Sequence, residues 1–204
     1  MKRIFFISII AIFSVFFLGC QNEKQINQTV SLGITLPQFL VSAENAMTKF
    51  DPKFIFSGNT PQKIEMPGIS MYISTFPARG NNVWAFVALS NAKDQSLLSV
   101  HIFYGGTDIT NMDAYAAALI GTTMGILNPQ EFLAFYNAGG ELLDKADVST
   151  DKQSSILLGK NRYHFKFHPE KKVWQFWVAP DSTDISLNPP VAQSLIKGNK
   201  LIAQ

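Results

Sequence analysis

Hydrophobic and polar residues follow two periods along the chain, and these periods predict where helices and strands lie. The clearest helix is predicted for TLPQFLVSAENAMTKF, residues 35–50, where apolar residues recur every three or four positions. Thr35 and Gln38 have the spacing of a capping box, and Pro37 lies in the first turn, where it removes no backbone hydrogen bond. We therefore expect a helix that ends at Asp51-Pro52.

Six short runs rich in β-branched and aromatic residues predict strands. The runs cover residues 70–76, 83–90, 97–104, 155–159, 162–168 and 173–179. Within each group of three, the connections are short and rich in turn residues, which favours antiparallel meanders. The run VWAFVALS, residues 83–90, is apolar on both of its faces and predicts a strand that is covered on both sides.

Two helices are predicted between the two groups of strands. Residues 110–127 have a helical apolar stripe, and a second helix has Asn128 as its N-cap and Pro129 in its first position. We expect Gly139-Gly140 to end this second helix. The resulting order, α-βββ-αα-βββ, predicts an α+β fold in which antiparallel strand meanders pack with helices.

The first nineteen residues have the pattern of an export signal. Lys2 and Arg3 precede the uncharged run from Ile4 to Leu18. A secretory signal needs an apolar region of about 7–15 residues, whereas a membrane-spanning helix needs about 20. We therefore predict a signal peptide over residues 1–19, with its basic end on the cytoplasmic side.

The stretch FLGC, residues 17–20, resembles the lipobox of bacterial lipoproteins. Phe17 replaces the usual leucine of that motif, and Leu18 replaces the usual small residue. In that family the cysteine sulfur receives a diacylglyceryl group and the chain is cut before it, which implies that Cys20 is a lipidated N-terminus. Gln21 follows instead of the aspartate that marks inner-membrane retention, so the resemblance implies an outer-membrane anchor facing the periplasm.

The sequence leaves three other interpretations of Cys20 open. They are an ordinary signal peptide with an incidental cysteine, an uncleaved signal anchor, and a buried structural cysteine. Cys20 is the only cysteine of the chain, so it has no intrachain disulfide partner. Lipid attachment accounts for a single thiol in an exported protein, and we therefore favour it.

Charge and polarity divide the remaining chain. Residues 20–34 are predicted to form the lipidated N-terminus and a polar tether, residues 35–180 a single α+β domain, and residues 181–204 a tail with a short helix.

Removal of residues 1–19 takes Lys2 and Arg3 from the 17 basic residues, which leaves 15 against 15 acidic residues. This neutral balance argues against nucleic acid as a partner.

No catalytic or metal-binding pattern is found. His164 and His168 are four positions apart on a predicted strand, about 13 Å, which is too far for one metal ion. His101 lies on another strand, and we interpret all three histidines as part of a solvated face. No nucleophile elbow, phosphate loop or calcium loop is present. A glycosidase-type pair of carboxylates needs no sequence proximity, so spacing leaves that alternative open.

The aromatic residues of the predicted strands are the remaining feature of the sequence that bears on function. Core filling is their default role, and the candidate residues for a binding surface or pocket are Trp84, Phe86, Trp174 and Trp177. The favoured hypothesis is a non-catalytic, membrane-anchored lipoprotein, without cofactor, that binds another protein as an accessory, inhibitor or immunity factor. The alternative is a carrier or sensor of an apolar small ligand. A protein binder predicts an exposed aromatic patch on a filled core, whereas a carrier predicts an enclosed void.

Overall fold

The computed structural model describes most of the predicted domain. It covers residues 30–52, 54, 62–66, 69–77, 83–105, 114–148, 153–169 and 173–181, all within a compact unit of residues 28–183. The predicted signal peptide, Cys20, most of the tether and the tail beyond residue 181 lie outside the described residues. No helix in the described ranges is long and apolar enough to cross a membrane.

Helix α1 spans Leu36–Phe50 and begins with the expected capping box. The Gln38 N–H donates to Thr35 Oγ1 at 3.5 Å, and the Thr35 N–H donates to Gln38 Oε1 at 3.1 Å. Both bonds satisfy groups that a helix start leaves without intrahelical partners. The buried stripe consists of Leu36, Phe39, Ala43 and Met47.

Within the described residues, seven antiparallel strands form one sheet in the order β1-β2-β3-β4-β7-β6-β5. The strands are β1 (Gln62–Met66), β2 (Ile69–Pro77), β3 (Val83–Asn91), β4 (Leu97–Gly105), β5 (Gln153–Leu158), β6 (Asn161–His168) and β7 (Val173–Pro180). The strands β1–β4 form one meander and β5–β7 form another. Pairing of β4 with β7 joins the two meanders in the middle of the sheet.

The helices form a layer on one face of the sheet. Helix α2 spans Ala114–Leu127, a 3₁₀ turn covers Pro129–Glu131, and helix α3 spans Phe132–Val148. Helix α2 contacts α1, α3 and β4, and α3 contacts β5 and β6. Side chains of the helices and of the facing strand positions form one hydrophobic core. The predicted α+β class, with antiparallel meanders and helices, is confirmed.

Two details differ from the predicted order. Strand β1 was not predicted, so the order in the described chain is α-ββββ-αα-βββ. Helix α3 continues through Gly139-Gly140, so the predicted end of this helix is wrong. The residues Ala138, Leu142 and Ala146 are buried along α3. Their burial offsets the cost of about 1 kcal/mol that each glycine adds to a helix interior.

The packed chain begins inside the segment that was assigned to the tether. The Leu32 N–H donates to the Leu97 carbonyl at 2.8 Å, and the Leu97 N–H donates to the Ile34 carbonyl at 2.9 Å. Leu32 is buried in the core. Residues 32–34 therefore attach to the start of β4 rather than forming part of a free linker.

Candidate functional site

Two of the four candidate aromatics belong to the core between the sheet and the helices. Phe86 is fully buried; its ring stacks on Phe39 at 5.9 Å between centroids and meets the edge of Tyr72 at 6.2 Å. Trp174 is 2% exposed, and its ring lies 4.9 Å from that of Phe167. These contacts give both residues a packing role in stabilising the fold.

The other two candidates are placed differently. Trp84 pairs through its backbone with Tyr104 in the β3–β4 ladder, and its side chain lies outside what the structure describes. Trp177 is buried on the opposite face of the sheet, because side chains alternate along β7. The structure therefore brings Phe86 and Trp174 into one core but places Trp177 on the other side of the sheet, so these three residues do not form one surface.

A row of hydrogen-bonded polar side chains crosses the face of the sheet opposite the helices, which we call the second face. Ser99 Oγ lies 3.0 Å from His101 Nε2, and Gln175 Nε2 lies 3.2 Å from His101 Nδ1. The row continues from Gln175 Oε1 to His168 Nε2 at 2.9 Å. It connects β4, β7 and β6, and His101 in its middle is fully buried. We call these four residues the polar row.

The amide orientation of Gln175 implies the direction of the hydrogen bonds in the polar row. The Gln175 amide N–H donates to His101 Nδ1, so His101 carries its proton on Nε2 and donates to Ser99 Oγ. In this orientation each member of the polar row has a hydrogen-bond partner within the row.

The histidines of this face are held neutral by burial. Desolvation, followed by repulsion from His164, lowers the pKa of His101 to about 3. Burial, followed by the charge of Arg162, lowers the pKa of His164 to about 4. Burial is also the main cause that lowers the pKa of His168. At neutral pH each ring is therefore uncharged.

The interpretation of these histidines as a solvated face is wrong for two of them. His101 is 0% exposed and His164 is 9% exposed. His101 is buried because the pairing order puts β4 in the middle of the sheet, where both faces are buried. His164 lies on β6, and the ring of Trp177 on the neighbouring β7 covers it. The Ser99–His101 spacing was a signal for part of the polar row, because residues two apart on a strand share a face. Gln175 had no such signal.

Two buried nitrogens on this face have no hydrogen-bond partner among the described residues. They are Trp177 Nε1 and His164 Nε2. The two rings stack with centroids 4.3 Å apart and planes 4° apart. We call this pair the Trp177–His164 stack. Among the described residues, no three His, Cys, Asp or Glu side chains are arranged to hold a metal ion.

No family model, no curated protein and no solved structure matches this chain. Its function is therefore inferred from its own residues.

Proposed function

We propose that the protein is a lipid-anchored, non-catalytic component of the bacterial cell envelope whose domain binds another protein as an accessory, inhibitor or immunity factor. The observation that carries the anchoring is FLGC at the end of an uncharged run that follows Lys2 and Arg3. A single acyl chain binds membranes only reversibly, whereas two or three chains on Cys20 give stable anchoring. Gln21 supports placement at the outer membrane, facing the periplasm.

The packing of the strand aromatics supports protein binding over transport of an apolar ligand. The rings of Phe86 and Trp174 are in contact with other core rings, so they fill the helix side of the sheet. The described helices also expose large apolar side chains: Val41 on α1 is 61% exposed and Leu133 on α3 is 77% exposed. Val41 and Leu133 lie on the outer surface of the helix layer, and they are the positions at which contact with a partner is tested.

The anchoring is tested by changing Cys20→Ala in the full chain. We expect loss of labelled palmitate incorporation and release of the protein from the membrane fraction. A Cys20→Ala protein that stays in the membrane fraction after carbonate washing would contradict the lipoprotein assignment. Separation of inner and outer membranes on a density gradient then tests the location implied by Gln21.

The protein partner is tested in two stages. Crosslinking in intact cells should give one adduct that is absent for an unrelated lipoprotein with the same first 34 residues. The crosslinked protein is then purified and titrated with the wild-type chain and with Leu133→Lys or Val41→Lys. Failure of the purified pair to bind would reject the proposal, whatever the crosslinking shows.

A second candidate function rests on the Trp177–His164 stack. A buried N–H without a partner costs about 1–3 kcal/mol, and a ligand oxygen would remove that cost. A small apolar ligand with a carbonyl or carboxylate group at one end could accept a hydrogen bond from this N–H. Native mass spectrometry of the chain from Gln21 onward should then show an added mass that is lost in Trp177→Phe. A mass that matches the bare chain leaves protein binding as the function.

A further inference from the structure

Strand β5 is an edge of the sheet formed by the described strands, and its own residues include none of the charges or prolines that usually protect an edge from pairing. Its sequence, QSSILL, contains no charged residue and no proline, and its pairing with β6 is continuous over residues 153–158. The other edge, β1, has Lys63 and Glu65 in its sequence. Natural edge strands are commonly protected by charges, proline or bulges, because their unpaired backbone groups attract other strands.

The β5–β6 hairpin determines which backbone groups point away from the sheet. Its two-residue turn is Gly159-Lys160, where Gly159 has φ +60°, and the turn is closed by the pair Leu158–Asn161. A two-residue turn closes with a hydrogen-bonded pair, and hydrogen-bonded and non-hydrogen-bonded pairs then alternate. Ile156 and Leu158 therefore bond to β6, whereas Ser155 and Leu157 direct their N–H and C=O groups outward.

Pairing on the other side of β6 agrees with this alternation. If Asn161 bonds to β5, its pair with β7 is of the non-hydrogen-bonded type. The residue opposite Asn161 in β7 is Pro180, which has no N–H to donate. The outward direction of Ser155 and Leu157 is thus supported by two independent features of the ladder.

No described strand pairs with the outer side of β5. The side chains of Ser155 and Leu157 point to the face of the sheet opposite the helices, where Ser155 is exposed and Leu157 is 44% exposed. Ile156, between them, is half-buried and packs against the core under the helices.

We propose that β5 pairs antiparallel with β5 of a second copy of this chain, with Ile156 opposite its own counterpart. In this register, Ser155 of each copy faces Leu157 of the other, so the outward groups of both copies meet in hydrogen-bonded pairs. Ile156 then forms a non-hydrogen-bonded pair with itself, the type that brings side chains closest. The helix layers of both copies stay on the same side of one continuous sheet.

The composition of β5 favours a second copy as the occupant. Two copies of QSSILL bring no like charges together, and Ile156 and Leu157 gain apolar cover. One six-residue strand is about 20 Å long, so the interface is smaller than the standard ~1,600 Å² and the dimer is weak in solution. Confinement to a membrane surface would raise the effective concentration of the copies.

Sedimentation of the full chain in detergent, across a wide concentration range, tests the proposal. Wild type should show a concentration-dependent dimer, and Leu157→Lys should weaken it by about tenfold or more. Leu133→Lys is the matched control, because Leu133 is also an exposed leucine but lies on α3. A wild-type monomer at every concentration overturns the proposal, as does a dimer that both variants weaken equally.

Two further variants test the register. Ser155→Pro removes an outward N–H without removing a β5–β6 bond, so it should abolish the dimer while the urea unfolding midpoint stays near that of wild type. Ile156→Cys should form a disulfide-linked dimer in oxidised membranes, since non-hydrogen-bonded pairs have suitable Cα separations. Leu133→Cys is its control, and equal crosslinking by both overturns the register. If the wild-type chain is a monomer but still binds its protein partner, the dimer proposal fails and the proposed function stands.

Discussion

Acid should destabilise the domain through the buried histidines of the second sheet face. In the folded state the pKa is about 3 for His101 and about 4 for His164, against about 6.5 for an unfolded histidine. Below about pH 6.5 the unfolded chain takes up protons that the folded chain cannot bind. Stability is therefore lost as the pH falls, at about 1.4 kcal/mol per pH unit for each histidine, down to the folded pKa.

The size of this effect at mild acidity follows from the two shifts. At about pH 5, which is about 1.5 units below the unfolded pKa, each histidine contributes about 2 kcal/mol of lost stability, or about 4 kcal/mol for the pair. That loss is a large share of the 5–15 kcal/mol that typically separates folded from unfolded chains. His168 acts in the same direction, because burial lowers its pKa as well.

Urea unfolding of the chain from Gln21 onward, at about pH 7.5 and about pH 5, measures the effect. His164→Phe keeps an aromatic ring against Trp177 and should remove about 2 kcal/mol of the pH dependence. Lys49→Gln, which removes an exposed positive charge on α1 and removes no histidine, is the control and should follow wild type. If His164→Phe loses as much stability as wild type between the two pH values, burial of a neutral His164 is not the cause.

Three further substitutions test the packing. Phe86→Ala should lower the free energy of unfolding by about 3–5 kcal/mol, because it empties a fully buried site against Phe39, and thermal and urea unfolding should agree. Thr35→Ala should cost about 1 kcal/mol by removing the acceptor for the Gln38 N–H, and an unchanged urea midpoint would refute a stabilising role for the cap. Gly140→Ala should stabilise by about 0.5–1 kcal/mol, since no described atom beyond its two chain neighbours and its own helix backbone lies within 4 Å of the added methyl group, and a lower melting temperature would contradict this.

The strength of the local pattern explains which elements could be predicted. Helix α1 has a cap, a first-turn proline and an apolar stripe, and all of these indicate the same boundaries. The five residues QKIEM of β1 have no such pattern, and their strand state depends on pairing with β2. Likewise, Gly139-Gly140 indicates a helix end locally, whereas the packing of Leu142 and Ala146 keeps α3 helical beyond it.

The sequence shows which strand residues share a face of one strand, but it does not show which strands lie side by side. Alternation along β7 places Trp174 and Trp177 on opposite faces, and this could be read from the sequence. The sequence does not show that β7 pairs with β4, because the two strands are far apart along the chain. That pairing brings Gln175 to His101, and it also buries a histidine that would be solvated on an edge strand.

The position of β7 has a consequence for how the chain reaches its native state. The strand that joins the two meanders is the last of the described strands along the chain, so a nascent chain without residues 173–180 leaves β4 and β6 each with one neighbouring strand instead of two. The sheet is therefore completed only by a contact of long sequence separation, which is a slow step in folding. If residues 1–19 act as the export signal that we propose, late completion of the sheet would leave the polypeptide able to pass through a narrow translocation channel until β7 is made.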